Sequence, residues 1–208
     1  MSKMAGNDLV KFCRSKIGTE YVYGMKGRIM SQKDYAALRE RYGSKCVWDS
    51  DIEKVGKVCV DCSGLISWAC GVVLGSSQWM TRANEKHPIS TLKNAPIGAL
   101  VWMKGHIGVY SGMKNGIPHY IAADGSAYGV REVPISCNKF THWLLVESVF
   151  NYEEDEMVTK EKIIVNGKEH TVSMIRKDDV TYIKTRDVAE LVGYEVSSAG
   201  KTPVLNKK

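Results

Sequence analysis

Hydrophobic residues recur every three or four positions in the first half of the chain and at alternate positions in much of the second. Leu9, Val10, Phe12, Cys13 and Ile17 share one face and predict a helix over 8–17, with Asn7 or Asp8 able to cap it and Gly18 to end it. A second helix is expected over 31–42, with Ser31 as its cap and Asp34 in its first turn. The strongest stripe, Leu65, Ile66, Trp68, Ala69, Val72 and Val73, predicts a buried helix over 63–74, stopped by Gly75. A further short turn of helix is expected within 77–84, whereas 43–60 has no period and reads as an irregular, polar surface excursion.

From position 99 the period is two. Strands are expected over 99–103, 106–111, 120–124, 130–133 and 143–150, separated by turns at Lys104-Gly105, Asn115-Gly116 and Gly125. Helices followed by an antiparallel meander predict an α+β fold, with the helices packed on an antiparallel sheet. The acidic stretch 151–157 reads as a linker between a domain over 1–150 and a small α+β domain over 158–208. In the latter, strands over 163–165 and 171–174 flank Asn166-Gly167, a favoured hairpin turn. A strand over 180–183 and a helix over 185–191 closed by Gly193 follow. So small a domain has a marginal core, and it is expected to dock on the first domain or on a partner chain, self-association included.

Composition narrows the class. Hydrophobic residues make up 44% and charged residues 25%, as in globular proteins. No apolar run reaches the ~18 residues of a membrane-spanning helix, so no stable membrane insertion is expected. The first residues lack the apolar core of a signal peptide, which predicts synthesis in a cytoplasm and release by other means. Residues 1–150 hold 19 Lys/Arg against 12 Asp/Glu, and 151–208 hold 10 against 11, so the positive charge lies in the larger domain. An anionic polymer could be its partner. The charges are scattered, with no basic run interleaved with aromatics, so nucleic acid is not expected. Six cysteines without an export signal are expected to be reduced thiols.

Candidate chemistry centres on Val58-Cys-Val-Asp-Cys-Ser-Gly-Leu-Ile-Ser-Trp. Cys59 and Cys62 supply two of the four ligands that structural zinc needs, and no second pair follows. A redox Cys-x-x-Cys should accompany alternating strands and helices, which this chain lacks. Cys62 as a nucleophile suits the position better, because the free N–H groups and dipole of a helix start stabilise a thiolate and can donate to an oxyanion. Cys59 is near enough in sequence to trap Cys62 as a disulfide under oxidation. His106, opening a strand after the Lys104-Gly105 turn, is the candidate base. It is expected on the sheet face that packs the Cys62 helix.

Asp61-Cys-Ser-Gly-Leu, followed by Gly105-His-Ile-Gly-Val-Tyr with His106 placed 44 residues after Cys62 (106 − 62), resembles the NlpC-type family of papain-like cysteine peptidases. Gly18-Thr-Glu-Tyr-Val-Tyr-Gly and Ala95-Pro-Ile-Gly-Ala-Leu-Val resemble that family's flanking segments, so the likeness covers roughly 5–150. The resemblance implies a thiol protease-like hydrolase of bacterial peptidoglycan stem peptides, such as a bacteriophage endolysin. It would cleave the γ-D-glutamyl–diamino acid bond, or act as an N-acetylmuramoyl-L-alanine amidase on the same fold, through a Cys62 thioester. A non-catalytic wall-binding module is the alternative from another class. By position, Cys62 would be the nucleophile and His106 the base; Tyr21 would line the site, and Asp61 and Ser63 would hold the substrate's free amine and backbone. The family's third residue falls on Ala122, so Asp124, two residues on, is expected to orient His106, with His119 as the alternative. No metal or cofactor is implied. The tail, from Ile164-Val-Asn-Gly-Lys-Glu to Arg186-Asp-Val-Ala-Glu-Leu-Val-Gly, resembles the small repeat named after the copper amine oxidase N-terminal domain. It implies a wall-binding or assembly role, and His170 alone is no copper site.

Overall fold

The computed structural model describes residues 3–152, 159–177, 180–199 and 202–208. The chain divides into two compact units, Met1–Glu154 and Asp155–Lys208. Of the expected linker, residues 153–157 lie outside the described residues. Both units mix helix with antiparallel sheet.

In the larger unit the helices are α1 (Gly6–Arg14), α2 (Gln32–Tyr42), α3 (Cys62–Cys70) and α4 (Ser76–Arg82). Its strands are β1 (Met4–Ala5), β2 (Glu20–Tyr21), β3 (Lys26–Ile29), β4 (Val58–Val60), β5 (Glu85–Pro88), β6 (Leu100–Met103), β7 (His106–Lys114), β8 (Ile117–Ala123), β9 (Val130–Pro134), β10 (His142–Leu145) and β11 (Phe150–Asn151). A six-stranded sheet runs β5-β10-β6-β7-β8-β9 with every pairing antiparallel. The meander is therefore β6 to β9, and β10 returns to the far side of β6. The strand expected over 143–150 is two strands, because the amides of Val149 and Phe150 turn back onto the carbonyl of Val146.

Both faces of this sheet are buried. Ile107, Val109, Ile121 and Ala123 pack with Leu9, Val10 and Cys13 of α1 and Leu65 and Ile66 of α3. Tyr110, Tyr120 and Ala122 point the other way, into a second core with Leu92, Phe140 and Trp143. Helices cover one face, as expected, and 3-10 turns and loops close the other. Trp68 of α3 meets Phe12 of α1 edge-on at 5.5 Å, which fixes the two helices against each other.

Two elements differ from expectation. Helix α3 ends at Cys70, not near Gly75, because Gly71 takes the left-handed conformation (φ 74°) and its amide bonds back to Ser67. The apolar period runs on to Val73, which is exposed. Residues 43–60, expected as a polar excursion, contain a 3-10 turn over Asp49–Lys54 and the buried strand β4. Strand β4 lies between β2 and β3, and Cys59, Val22, Met25, Met30 and Val47 form a third core under Tyr35, Leu38 and Tyr42 of α2. Buried Asp51 and Lys54 pair at 2.7 Å, and the Lys54 ammonium also donates to the carbonyls of Tyr21 and Ser126. The capping box of Ser31 and Asp34 on α2 is formed as the sequence suggests.

The smaller unit holds a sheet of β12 (Thr159–Val165), β13 (Lys168–Lys177) and β14 (Val180–Ile183), then α5 (Thr185–Ala189) and the hairpin of β15 (Tyr194–Ala199) and β16 (Thr202–Lys207). Asn166 and Gly167 both have positive φ, as the two-residue turn between Val165 and Lys168 requires. Among its described residues the buried apolar ones are Val172, Met174 and Ala189, a thin core.

Candidate active site

Cys62 is the first residue of α3, and Asp61 caps the helix by accepting the Gly64 amide on its side chain at 2.5 Å. The Leu65 amide bonds to the Asp61 carbonyl. The N–H groups of Cys62 and Ser63 therefore precede the helical ladder and point out of the helix end. The Cys62 side chain is almost wholly buried and borders a cleft of about 260 Å³ lined also by Tyr23, Lys26, Asp61, Ser63 and Gly105.

His106 is the first residue of β7, and Cys62 is near enough to raise its pKa. It does not lie on the helix-packed face as expected. That face belongs to Ile107 and Val109, while the imidazole stacks on Phe140, with ring centres 5.6 Å apart, on the side of the second core. It meets the thiol at the end of the sheet, which is possible only because it opens the strand. Its Nε2 is 2.9 Å from Oδ1 of Asp124, leaving Nδ1 as the nitrogen for the sulfur.

Asp124 lies one residue past the end of β8, with no exposed side-chain surface. Besides His106 it accepts from Asn138 Nδ2 (3.0 Å), Tyr120 Oη (2.8 Å) and Arg131 Nε (2.6 Å). Burial raises the pKa of the Asp124 carboxyl, but its donors, His106 first, hold it below the ordinary carboxylate range. Burial likewise lowers that of His106, and the bond to Asp124 and the nearby Cys62 outweigh it, so the imidazole is pushed up to about 9. At neutral pH the ring carries its proton on both nitrogens, one held by a carboxylate and the other facing sulfur.

Tyr21 sits beside the thiol: burial, and then the nearby Cys62 and Asp61, raise its phenol well above the usual range, so it stays protonated. Asp61 and Ser63 border the cleft but are already engaged, because Lys26 Nζ contacts both carboxylate oxygens (2.9 and 2.8 Å) and Ser63 Oγ (3.1 Å). His119 is not brought to the site; it pairs with Gly112 further along the sheet, and its Nδ1 faces the carbonyl of Ile117 at 2.9 Å. Cys59 does not face Cys62 either. Its thiol lies in the third core against the carbonyls of Lys54 and Lys57, with burial first among the causes that raise its pKa to about 11. All six cysteines are free thiols.

Sequence reasoning missed Arg131, Asn138, Phe140 and Lys26. Arg131 carries the one available signal: with Asp124 at the end of one strand, a cation near the start of the next falls across the turn from it. Among the described residues no group of three or more His, Cys, Asp or Glu side chains is arranged to hold a metal ion. No helix among them is long and apolar enough to cross a membrane. No protein-family model matches the chain, and no curated protein matches its sequence.

Proposed function

We propose that the larger unit is a papain-like cysteine hydrolase of NlpC type, acting on the stem peptides of bacterial peptidoglycan. The observation that carries this reading is the ordered set of contacts Cys62–His106–Asp124 at the start of a helix, with the imidazole proton-loaded at neutral pH. A buried thiol that served only packing would not need an imidazole held by a carboxylate with three further donors. The Cys62 sulfur attacks the stem-peptide carbonyl, and the N–H groups of Cys62 and Ser63 receive the oxyanion. His106 passes its proton to the departing amine, which leaves a thioester on Cys62. Its free nitrogen then takes a proton from water, whose oxygen attacks the thioester and releases the acid and the thiol. The choice of peptidoglycan, and of the γ-D-glutamyl–diamino acid bond within it, rests on the Asp61-Cys62-Ser63-Gly64 and Gly105-His106 motifs and their flanks. The small unit is assigned a supporting role in binding the wall or a second copy.

Clearing of purified bacterial cell walls by the wild type and by Cys62→Ala tests the reading. The variant should lose about 10³-fold or more of the activity. Equal clearing by the two would overturn the cysteine mechanism, and mass analysis of the fragments separates endopeptidase from amidase.

A further inference from the structure

The Asp61 carboxylate beside Cys62, which the resemblance assigns to a substrate's free amine, is already engaged by the chain itself. Oδ1 of Asp61 accepts from Gly64 N, Ser63 Oγ (3.0 Å) and Lys26 Nζ, and Oδ2 accepts from Gly24 N (2.9 Å) and Lys26 Nζ. These five contacts use up the roughly four lone-pair directions of a carboxylate. The Lys26 ammonium has three protons, and its three contacts are the two Asp61 oxygens and Ser63. Asp61 thus has neither a free acceptor nor an unbalanced charge to offer a ligand.

The placement of Lys26 is built into the fold. Strand β3 pairs Lys26 with Val60 and Arg28 with Cys59, so Gly27 forms a bulge between them. Gly27 has φ 82°, and a Cβ there would stand 2.1 Å from the Trp68 ring, so neither the bend nor the close approach tolerates a side chain. A bulge re-aims the residue beside it, and here it turns Lys26 onto the first turn of α3. The lysine side chain remains 31% exposed and forms part of the cleft wall.

We infer that this site selects stem peptides whose first amine is acylated, as it is where the stem is still joined to the glycan, and rejects peptides with a free amino terminus. The inference rests on the hydrolase reading above. An ammonium approaching Asp61 would face the Lys26 ammonium with no unpaired carboxylate to receive it. An amide carries no charge and needs only a hydrogen bond.

The test compares cleavage of L-alanyl-γ-D-glutamyl-diamino acid peptides with the first amine either N-acetylated or free, by the full-length protein and by Lys26→Met. The wild type should prefer the acetylated peptide at least ten-fold in kcat/KM, and Lys26→Met, which uncovers the Asp61 charge, should erase or invert that preference. A wild type that cleaves the free-amine peptide equally well or better overturns the inference and leaves the hydrolase reading standing. Cleavage of neither, together with walls that Cys62 does not help to clear, overturns both. A second measurement needs no turnover: labelling of Cys62 by cationic and anionic methanethiosulfonates, followed by peptide mass mapping. Lys26→Met should raise the cation-to-anion rate ratio at least ten-fold, and an unchanged ratio would show that Lys26 does not neutralise Asp61.

Discussion

The imidazole of His106 is held from two sides, and the consequence is a pH profile. The carboxylate of Asp124 favours the imidazolium, so a pKa of about 9 predicts that kcat/KM holds through neutral pH and falls on an alkaline limb near pH 9, as the ring loses the proton it must give to the leaving amine. Asp124→Asn removes the charge and leaves burial opposed by Cys62 alone, so the limb should move down by a pH unit or more and the plateau should drop ten-fold or more. His119→Ala should change neither by more than about two-fold, since its ring engages only the Ile117 carbonyl. A pH–rate profile of both variants checks this; a shifted limb in His119→Ala with none in Asp124→Asn would reverse the assignment. Cys62 and His106 were legible because each sits where local chemistry leaves a mark, a helix start and a strand start; Asp124 was reached only by stepping two residues on from Ala122, where the resemblance places the third residue. Asn138 and Phe140 come from loop positions whose side chains converge on the site only in the fold, so nothing local announced them, whereas Arg131, across the turn from Asp124, had that one signal. Lys26 was invisible for a related reason. Its partner Asp61 is 35 residues away, and the bulge that joins them is one glycine among nineteen.

The segment between α2 and α3 shows how an element can be hidden from its sequence. Strand β4 is three residues long, too short for alternation to register, and its burial comes from neighbours on both edges. The polar residues before it suggested a solvated loop, yet Asp51 is wholly buried and Lys54 nearly so. Asp51 accepts from Lys54, the Trp48 amide and Ser126 Oγ, while Lys54 reaches the carbonyls of Tyr21 and Ser126. One ammonium thus ties the 3-10 turn to the Tyr21 strand and to the loop that follows Asp124. Lys54→Met leaves a buried carboxylate without its cation, which should cost about 3–5 kcal/mol. The urea midpoint should fall accordingly, and adding Asp51→Asn should recover part of the loss by removing the stranded charge. A midpoint within 0.5 kcal/mol of wild type, by the usual m-value conversion, would mean that the pair is not closed. Helix α3 shows the converse case: its stripe identified the element, with Leu65 and Ile66 buried and Trp68 and Ala69 partly so, but Val72 and Val73 fall outside it, because Gly71 acts before the apolar period runs out.

Sheet order in the larger unit depends on closures that no window of sequence contains. Strand β5, Glu85-Lys-His-Pro, is polar and ends in proline, as an edge strand can, and it is identifiable only through its pairing with β10 and the stacking of His87 on Trp143 at 4.0 Å. The parallel pair Met4↔Phe150 and Ala5↔Asn151 joins the two ends of the unit. A second closure lies on the opposite edge. Glu132 of β9, its side chain 6% exposed, accepts both Arg14 nitrogens of α1 (3.0 and 2.8 Å) and pairs with Lys114 of β7 at 2.9 Å. The bonds from Arg14, foremost, hold the Glu132 carboxyl down at about 2, against an ordinary value of 4.5. Because the folded pKa is the lower one, the stabilisation is complete above pH 4.5 and is lost as pH falls towards 2. Both cations are half-exposed, so screening reduces the gain to the order of 1 kcal/mol, or about 2–4 °C in Tm for a unit of this size. Thermal melts of wild type and Glu132→Gln should therefore differ by that amount at pH 6, by about a quarter of it at pH 2.5, and converge by about pH 1.5, with the variant showing the shallower acid limb. A full gap that persisted at pH 1.5 would assign the loss to packing at the sheet edge; a gap absent at pH 6 would mean that α1 is held to the sheet by Leu9, Val10 and Cys13 alone.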